Sequence, residues 1–224
     1  GATLATIWKP KADIVIGVPD SGIAAGLGYS VESGIPYVQA ILRYHQADRV
    51  FYAGFLDRAE GQLYEFKYDA IFELIAGNRV ILIDDTLFAG DSILRVALTC
   101  LDAEAKEVHI GIPTPMITTA CFYGTPTSAL HRRLAAQVHE GKPDSILEEL
   151  QQRVADIRGS EDGSKVTSLA FLPTEQTTRA IASTKPFIQE QRFADFSPQN
   201  LCTGCFFGGE RHIPVDTNEE PAVV

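Results

Sequence analysis

The chain has 224 residues, enough for one sizeable α/β domain, and its 45% hydrophobic share is ordinary for a globular protein. A formal net charge of -10 and a pI near 4.9 argue against nucleic acid as a partner, because phosphate backbones demand clustered Lys and Arg. No apolar run approaches the ~20 residues needed to span a bilayer and no charged-then-apolar leader is seen, so the expectation is a cytoplasmic protein with no membrane partner. The sequence starts at Gly1 rather than Met and runs directly into helix-like Ala2 to Trp8, the pattern of a processed chain or of a piece of a longer one.

In chain order, Ala12 to Val18 reads as a first strand, Ile23 to Ser33 as a helix and Tyr37 to Leu42 as a short strand. Polar, aromatic-studded Arg43 to Phe66 then breaks the alternation, and a loop of that length inside a compact domain is usually functional. Lys67 to Ala76 reads as a helix, Arg79 to Ile83 as a central strand, Ile93 to Leu101 as a helix and Val108 to Ile112 as a further strand. Strands alternating with amphipathic helices predict a parallel sheet covered by helices on both faces. Beyond Gly124 the sequence turns helical and polar, with helices expected at Ala129 to Val138 and Asp144 to Ile157 and a surface loop over Gly159 to Ser164. The expected organisation is a core over 1–126, with a flexible loop at about 43–66, and a helical C-terminal extension over 127–224 packed on that core rather than independent of it.

Val80 to Ser92 carries the most chemistry. Four aliphatic residues predict a buried parallel strand, Asp84 and Asp85 stand where it must end, and Thr86, Leu87, Phe88, Ala89, Gly90, Asp91 and Ser92 lead into a helix. Small residues ahead of a helix N-terminus let backbone N–H groups wrap an anion, while paired carboxylates accept hydrogen bonds from two hydroxyls. A sugar phosphate suits both halves. Asp20, Ser21 and Gly22, after Val18-Pro19, close the first strand and open the next helix, so their turn faces the same crevice and suits a pyrophosphate. Taken alone, Pro-Asp-Ser-Gly is also an ordinary turn with a helix cap.

These segments resemble the phosphoribosyl pyrophosphate (PRPP) motif of type I phosphoribosyltransferases. More widely, Asp13 to Gly22, Leu27-Gly28-Tyr29, Ser33 to Tyr37, Ala105 to His109, Cys121 to Gly124 and Leu201 to Phe206 resemble, in order, blocks of glutamine PRPP amidotransferases. The resemblance implies the type I phosphoribosyltransferase fold and an enzyme that displaces pyrophosphate from PRPP with ammonia, giving 5-phosphoribosylamine for purine synthesis. It implies Mg²⁺ near Asp84 and Asp85, and a loop that closes over PRPP, in which Arg43 and Arg49 match basic positions and Lys67 matches a lysine that meets the pyrophosphate. Arg49, Lys67, Asp84 and Asp85 are the expected catalytic group. Arg58 and Arg79 read as solvated surface charges.

Two departures stand out. Arg43-Tyr44-His45-Gln46 stands where the family reads roughly Lys-Asn-Arg-Tyr, and Ala89-Gly90-Asp91-Ser92 stands where it carries Arg-Gly-Thr-Thr. Asp91 sets a carboxylate near a phosphate, and it either points outward or weakens PRPP binding. Of four cysteines, two form Cys202-Thr-Gly-Cys205; in a reducing compartment that spacing favours a metal, iron–sulfur or zinc. The resemblance assigns Cys121, Cys202 and Cys205 to a [4Fe–4S] cluster, with Cys100 left to the core. The family's glutaminase half uses an N-terminal cysteine; this sequence offers neither that residue nor the ~200 residues such a domain requires, so it is not expected to release ammonia from glutamine. Two rival readings are a phosphoribosyltransferase with another acceptor, a base or a specialised-pathway amine, and a non-catalytic PRPP-binding regulator. Relatives are usually dimers or tetramers, which implies a homo-oligomer or association with the rest of a longer chain.

Overall fold

The computed structural model describes residues 1–43, 68–119, 139–183 and 201–206. Its elements in chain order are α1 (Ala2–Ile7), β1 (Ile14–Gly17), α2 (Gly22–Ser33), β2 (Ile41–Arg43), β3 (Tyr68–Ala70), α3 (Phe72–Ile75) and β4 (Arg79–Ile83). They continue as α4 (Asp91–Asp102), β5 (Glu107–Ile112), α5 (Pro143–Arg158), α6 (Ser160–Gly163), β6 (Val166–Phe171) and α7 (Thr174–Ser183). Four strands form one parallel sheet in the order β1-β4-β5-β6, and β2 pairs with β3 in a separate antiparallel ribbon.

Strand residues alternate between two cores, as the period of two requires. Ile14, Ile16, Val80, Leu82, Val108 and Ile110 pack on one face against Ile93, Val96 and Ala97 of α4 and Ile146, Leu150 and Val154 of α5. Val15, Ile81 and Ile83 pack on the other against Leu4 of α1 and Tyr29 of α2. Each such aliphatic side chain contributes about 1.5–3 kcal/mol by burial. Gly111 lets α1 lie close, because a Cβ there would stand 2.7 Å from Ile83 Cδ1 and 2.8 Å from Trp8 Cζ3.

Several expectations are corrected. The first strand is shorter than Ala12 to Val18, and of Tyr37 to Leu42 only Ile41 and Leu42 lie in a regular strand, Tyr37 making an isolated bridge to Val15. The helix expected over Lys67 to Ala76 is replaced, from Tyr68 onward, by β3 and the short α3. Its β2 partner lies far upstream, where a local pattern does not reach. Gly159 to Ser164 contains the short helix α6 rather than a plain loop. The segment beyond residue 127 is not purely helical: Val166–Phe171 joins the central sheet beside β5. The helix expected at Ala129 to Val138 lies outside the described residues.

Candidate active site

Strands β1 and β4 run side by side in register, Gly17 opposite Ile83, so the turns after both open on one edge of the sheet. Val18 N–H donates to the Ile83 carbonyl at 2.8 Å, and Gly22 N–H closes the turn on Val18 O at 2.9 Å. Only glycine fits at position 22, where a Cβ would stand 2.3 Å from Ile83 O; α2 therefore begins hard against the end of β4. This geometry brings Ser21 into one cleft with Asp84 and Asp85.

Asp84 is buried and its N–H donates to Gly111 O of β5 at 3.2 Å. Its Oδ1 accepts the Asp85 N–H at 2.9 Å, while the half-buried Asp85 is held from behind by Thr114 Oγ1, which donates to the Asp85 carbonyl at 2.7 Å. The chain then loops to Gly90, whose φ of +82° opens α4, and no side chain caps that helix. An uncapped helix start presents N–H donors and the positive end of the helix dipole. A cleft of about 330 Å³ is walled by Asp84 to Ile93 on one side and by Pro19, Ser21, Arg43 and Tyr68 on the other, a volume that suits a small ligand. Arg43, at the end of β2, reaches Asp20 with Nη1 3.3 Å from Oδ2.

Asp20, Ser21, Gly22, Arg43, Asp84, Asp85 and Thr86 to Ser92 are thus gathered at one edge of the sheet. Arg49, Lys67 and Cys121 lie outside the described residues, as do His45 and Gln46. Arg79, expected as a solvated charge, instead forms a two-pronged ion pair with Asp13 at the opposite edge, Nε to Oδ2 at 2.9 Å and Nη2 to Oδ1 at 2.7 Å. The Arg79 side-chain and backbone donors hold the Asp13 carboxyl well below the usual carboxylate range.

Cys100 is core, as its place on the apolar face of α4 predicts, and burial pushes its thiol up to about 12. Cys202 is exposed and Cys205 half-buried, and among the described residues no group of three or more His, Cys, Asp or Glu is arranged to hold a metal.

Sequence reasoning missed Thr114, Tyr68 and Arg153. Arg153 of α5 donates from Nη1 to the Ala89 carbonyl at 3.3 Å and pairs through Nη2 with the Asp91 carboxylate. No local signal exists for such a contact, because it joins a late helix to a loop 62 to 64 residues earlier.

No protein-family model matches the chain. It is 31% identical over 208 residues to the amidophosphoribosyltransferase of Bacillus subtilis strain 168, an alignment covering 93% of this chain and 38% of that protein. The chain is homologous to the amidophosphoribosyltransferases. The part it matches is their phosphoribosyltransferase domain, and the chain spans well under half the length of these relatives. Its fold agrees. A solved glutamine PRPP amidotransferase from B. subtilis, complexed with ADP and GMP, superposes with a TM-score of 0.71 at 27% identity, covering 99% of this chain and 43% of that one. A structure described as the allosteric regulatory enzyme of purine biosynthesis gives a TM-score of 0.75 at 28% identity, covering 99% and 42%. The parallel sheet with helices on both faces is the type I phosphoribosyltransferase fold of these amidotransferase structures.

Proposed function

We propose that this chain is the phosphoribosyl-transferring part of an amidophosphoribosyltransferase, a pentosyltransferase that displaces pyrophosphate from C1 of PRPP with ammonia to give 5-phosphoribosylamine for purine nucleotide biosynthesis. The observation that carries this reading is the meeting, in one cleft of about 330 Å³, of the Asp84–Asp85 pair with the uncapped N-terminus of α4.

Each wall has a task. Asp84 and Asp85 accept hydrogen bonds from the ribose hydroxyls, and their negative charge favours the positive charge that grows on the sugar ring as the C1–O bond weakens. Thr86 to Ser92 hold the 5-phosphate with backbone N–H groups and the Thr86 and Ser92 hydroxyls. The Asp20–Ser21–Gly22 turn and Arg43 receive the departing pyrophosphate, and Arg49 and Lys67 are assigned to that same charge. The ammonia lone pair forms the C1–N bond, pyrophosphate leaves with the C1–O electron pair, and the surplus proton passes to water. Positioning supplies most of the acceleration.

Mg²⁺ fits the hard oxygens of Asp84 and Asp85, since it binds through one or two carboxylates plus substrate phosphates and keeps several waters; when bound it offsets the pyrophosphate charge. An iron–sulfur cluster or zinc on Cys121, Cys202 and Cys205 is a finer part of the reading. Supporting it, Thr118 and Thr119 N–H both donate to Cys205 O, at 2.9 and 3.3 Å, which brings the segment leading to Cys121 beside the Cys202–Cys205 turn. The described residues supply two suitable thiols where a cluster takes four, and no step above depends on it.

On this reading residues 127–224 are an extension of the core over 1–126 rather than a separate domain, supported by β6 lying in the same sheet as β1. A cytoplasmic location goes with it: the unbridged Cys100 and Cys202 thiols suit a reducing compartment, and no helix among the described residues is long and apolar enough to cross a membrane. Association with further copies, or with the remainder of a longer chain, completes the assignment.

The test is pyrophosphate release by the purified chain given PRPP, Mg²⁺ and ammonium at mildly alkaline pH, with controls lacking amine or protein. Ammonia-dependent release is expected. PRPP binding without release turns the assignment toward another acceptor or a regulator, and no PRPP binding overturns it.

A further inference from the structure

Asp91 begins α4 at the wall of the cleft, where a carboxylate competes with any phosphate for the same N–H donors and repels it through space. The side chain also borders a second groove, between α4 and α5, lined by Leu94, Leu98, Arg153 and Ile157. Arg153 borders that second groove and is not part of the cleft wall, and its guanidinium takes the Asp91 carboxylate on that side.

The contact is built from both elements. Arg153 Nη2 pairs with Asp91 Oδ1 and Nη1 donates to Ala89 O at 3.3 Å, so one planar group grips the loop on either side of Gly90. Gly90 permits the approach. Its φ is +82°, and a Cβ there would stand 3.2 Å from Leu150 Cδ2 and 3.7 Å from Arg153 Nη1. On α5 the arginine is steadied by Glu149, whose Oε1 lies 3.8 Å from Nη1 and whose Oε2 meets His139 Nε2 at 2.5 Å. Arg153 is 30% exposed and Asp91 53%, so water screens much of the attraction within the pair.

We propose that Arg153 is a positioning residue of the phosphate cradle: it holds the Asp91 carboxylate against α5 and thereby keeps the 86–92 loop and the start of α4 open to a phosphate monoester. The proposal rests on the sugar-phosphate reading of the cleft and extends it to a residue about 60 positions downstream of the loop. Asp91 then points away from the ligand, and its charge is cancelled by an arginine the ligand does not touch.

The test is calorimetric binding of PRPP, ribose 5-phosphate and inorganic pyrophosphate to the full chain, with melting temperatures recorded for every variant. Arg153→Met is expected to weaken ribose 5-phosphate binding about fivefold, as losing a half-exposed charge pair implies, and to leave pyrophosphate binding, on the opposite wall, within about twofold. Adding Asp91→Asn removes the charge that needed holding, so the double variant returns to within about twofold of the native affinity. A brace that only stiffens the fold predicts the reverse, a lower melting temperature and no rescue. Unchanged ribose 5-phosphate affinity in Arg153→Met, or a double variant as weak as the single, overturns the proposal. If Arg153→Met does not fold, Arg153→Lys decides, since it keeps the charge and loses the planar grip: weaker ribose 5-phosphate binding with pyrophosphate binding within about twofold of native supports the proposal, and any other outcome overturns it. Native protein that binds neither sugar phosphate sinks the reading of the cleft, and this proposal with it.

Discussion

At the N-terminal edge of the sheet Asp13 and Arg79 face each other across β1 and β4 in a two-pronged ion pair, whereas at the C-terminal edge of the same two strands Asp84 and Asp85 stand side by side with the same sign. The first arrangement is what folding alone favours, opposite charges satisfied within the chain. The second gathers two carboxylates beside helix donors that no side chain caps, an arrangement that on the proposed reading is completed by a ligand carrying both hydroxyls and phosphate. One edge therefore clamps the sheet and the other is available for chemistry.

The sharpest way to break this contrast is to neutralise the paired acids. Asp84→Asn combined with Asp85→Asn is expected to lower PRPP affinity by on the order of 100-fold or more, since each hydrogen bond to a charged group is worth about 1.5–3 kcal/mol. The melting temperature should change little, because an amide oxygen at position 84 can still accept the N–H of position 85; titration calorimetry and a thermal melt report both, and unchanged affinity rejects the site. Next in size is Gly90→Ala. Forcing a Cβ onto φ +82° beside Leu150 should cost about 1–2 kcal/mol and weaken PRPP binding together with stability, since that residue serves both loop and packing.

The smallest effect is expected at the other edge. Asp13→Asn should lower the melting temperature slightly and leave PRPP affinity unchanged. Its pH dependence follows from the sign of the shift: the folded-state pKa of Asp13 lies below the unfolded value of about 3.9, so the pair stabilises the fold above that pH and the contribution is lost as pH falls. The gap in melting temperature between Asp13→Asn and the native chain should therefore be full at pH 7 and shrink below about pH 4. A gap that grows on acidification would contradict the pairing.

Much of the fold was legible from hydrophobic period. Arg79 to Ile83 was expected as a strand and is one, and Val108 to Ile112 and Ile93 to Leu101 lie within the observed β5 and α4. These segments are apolar, and each sits between clear turn residues. Ile41 and Leu42 fall within the short strand expected at Tyr37 to Leu42, whereas Tyr68–Ala70 was read as helix because it is three residues long and is held by β2 across a long intervening stretch. Val166–Phe171 was missed for a related reason. Its burial does not alternate cleanly, and its strand character comes from lying against β5 with an irregularity between Val108 and His109.

By itself the sequence determined the strand-acid-acid-loop-helix order over Val80 to Ser92, because local period, turn chemistry and the reach of backbone donors are properties of neighbouring residues. It determined equally that Asp20 and Ser21 follow a strand that such a site needs. Only the tertiary structure decided which way Asp91 turns, that Arg79 belongs to Asp13 rather than to solvent, and that Arg153 reaches the loop. Those outcomes depend on which side chains meet when α5 packs against α4 and β1 against β4. Charge pairing acts through space, and the residues that meet there lie more than 60 positions apart in sequence.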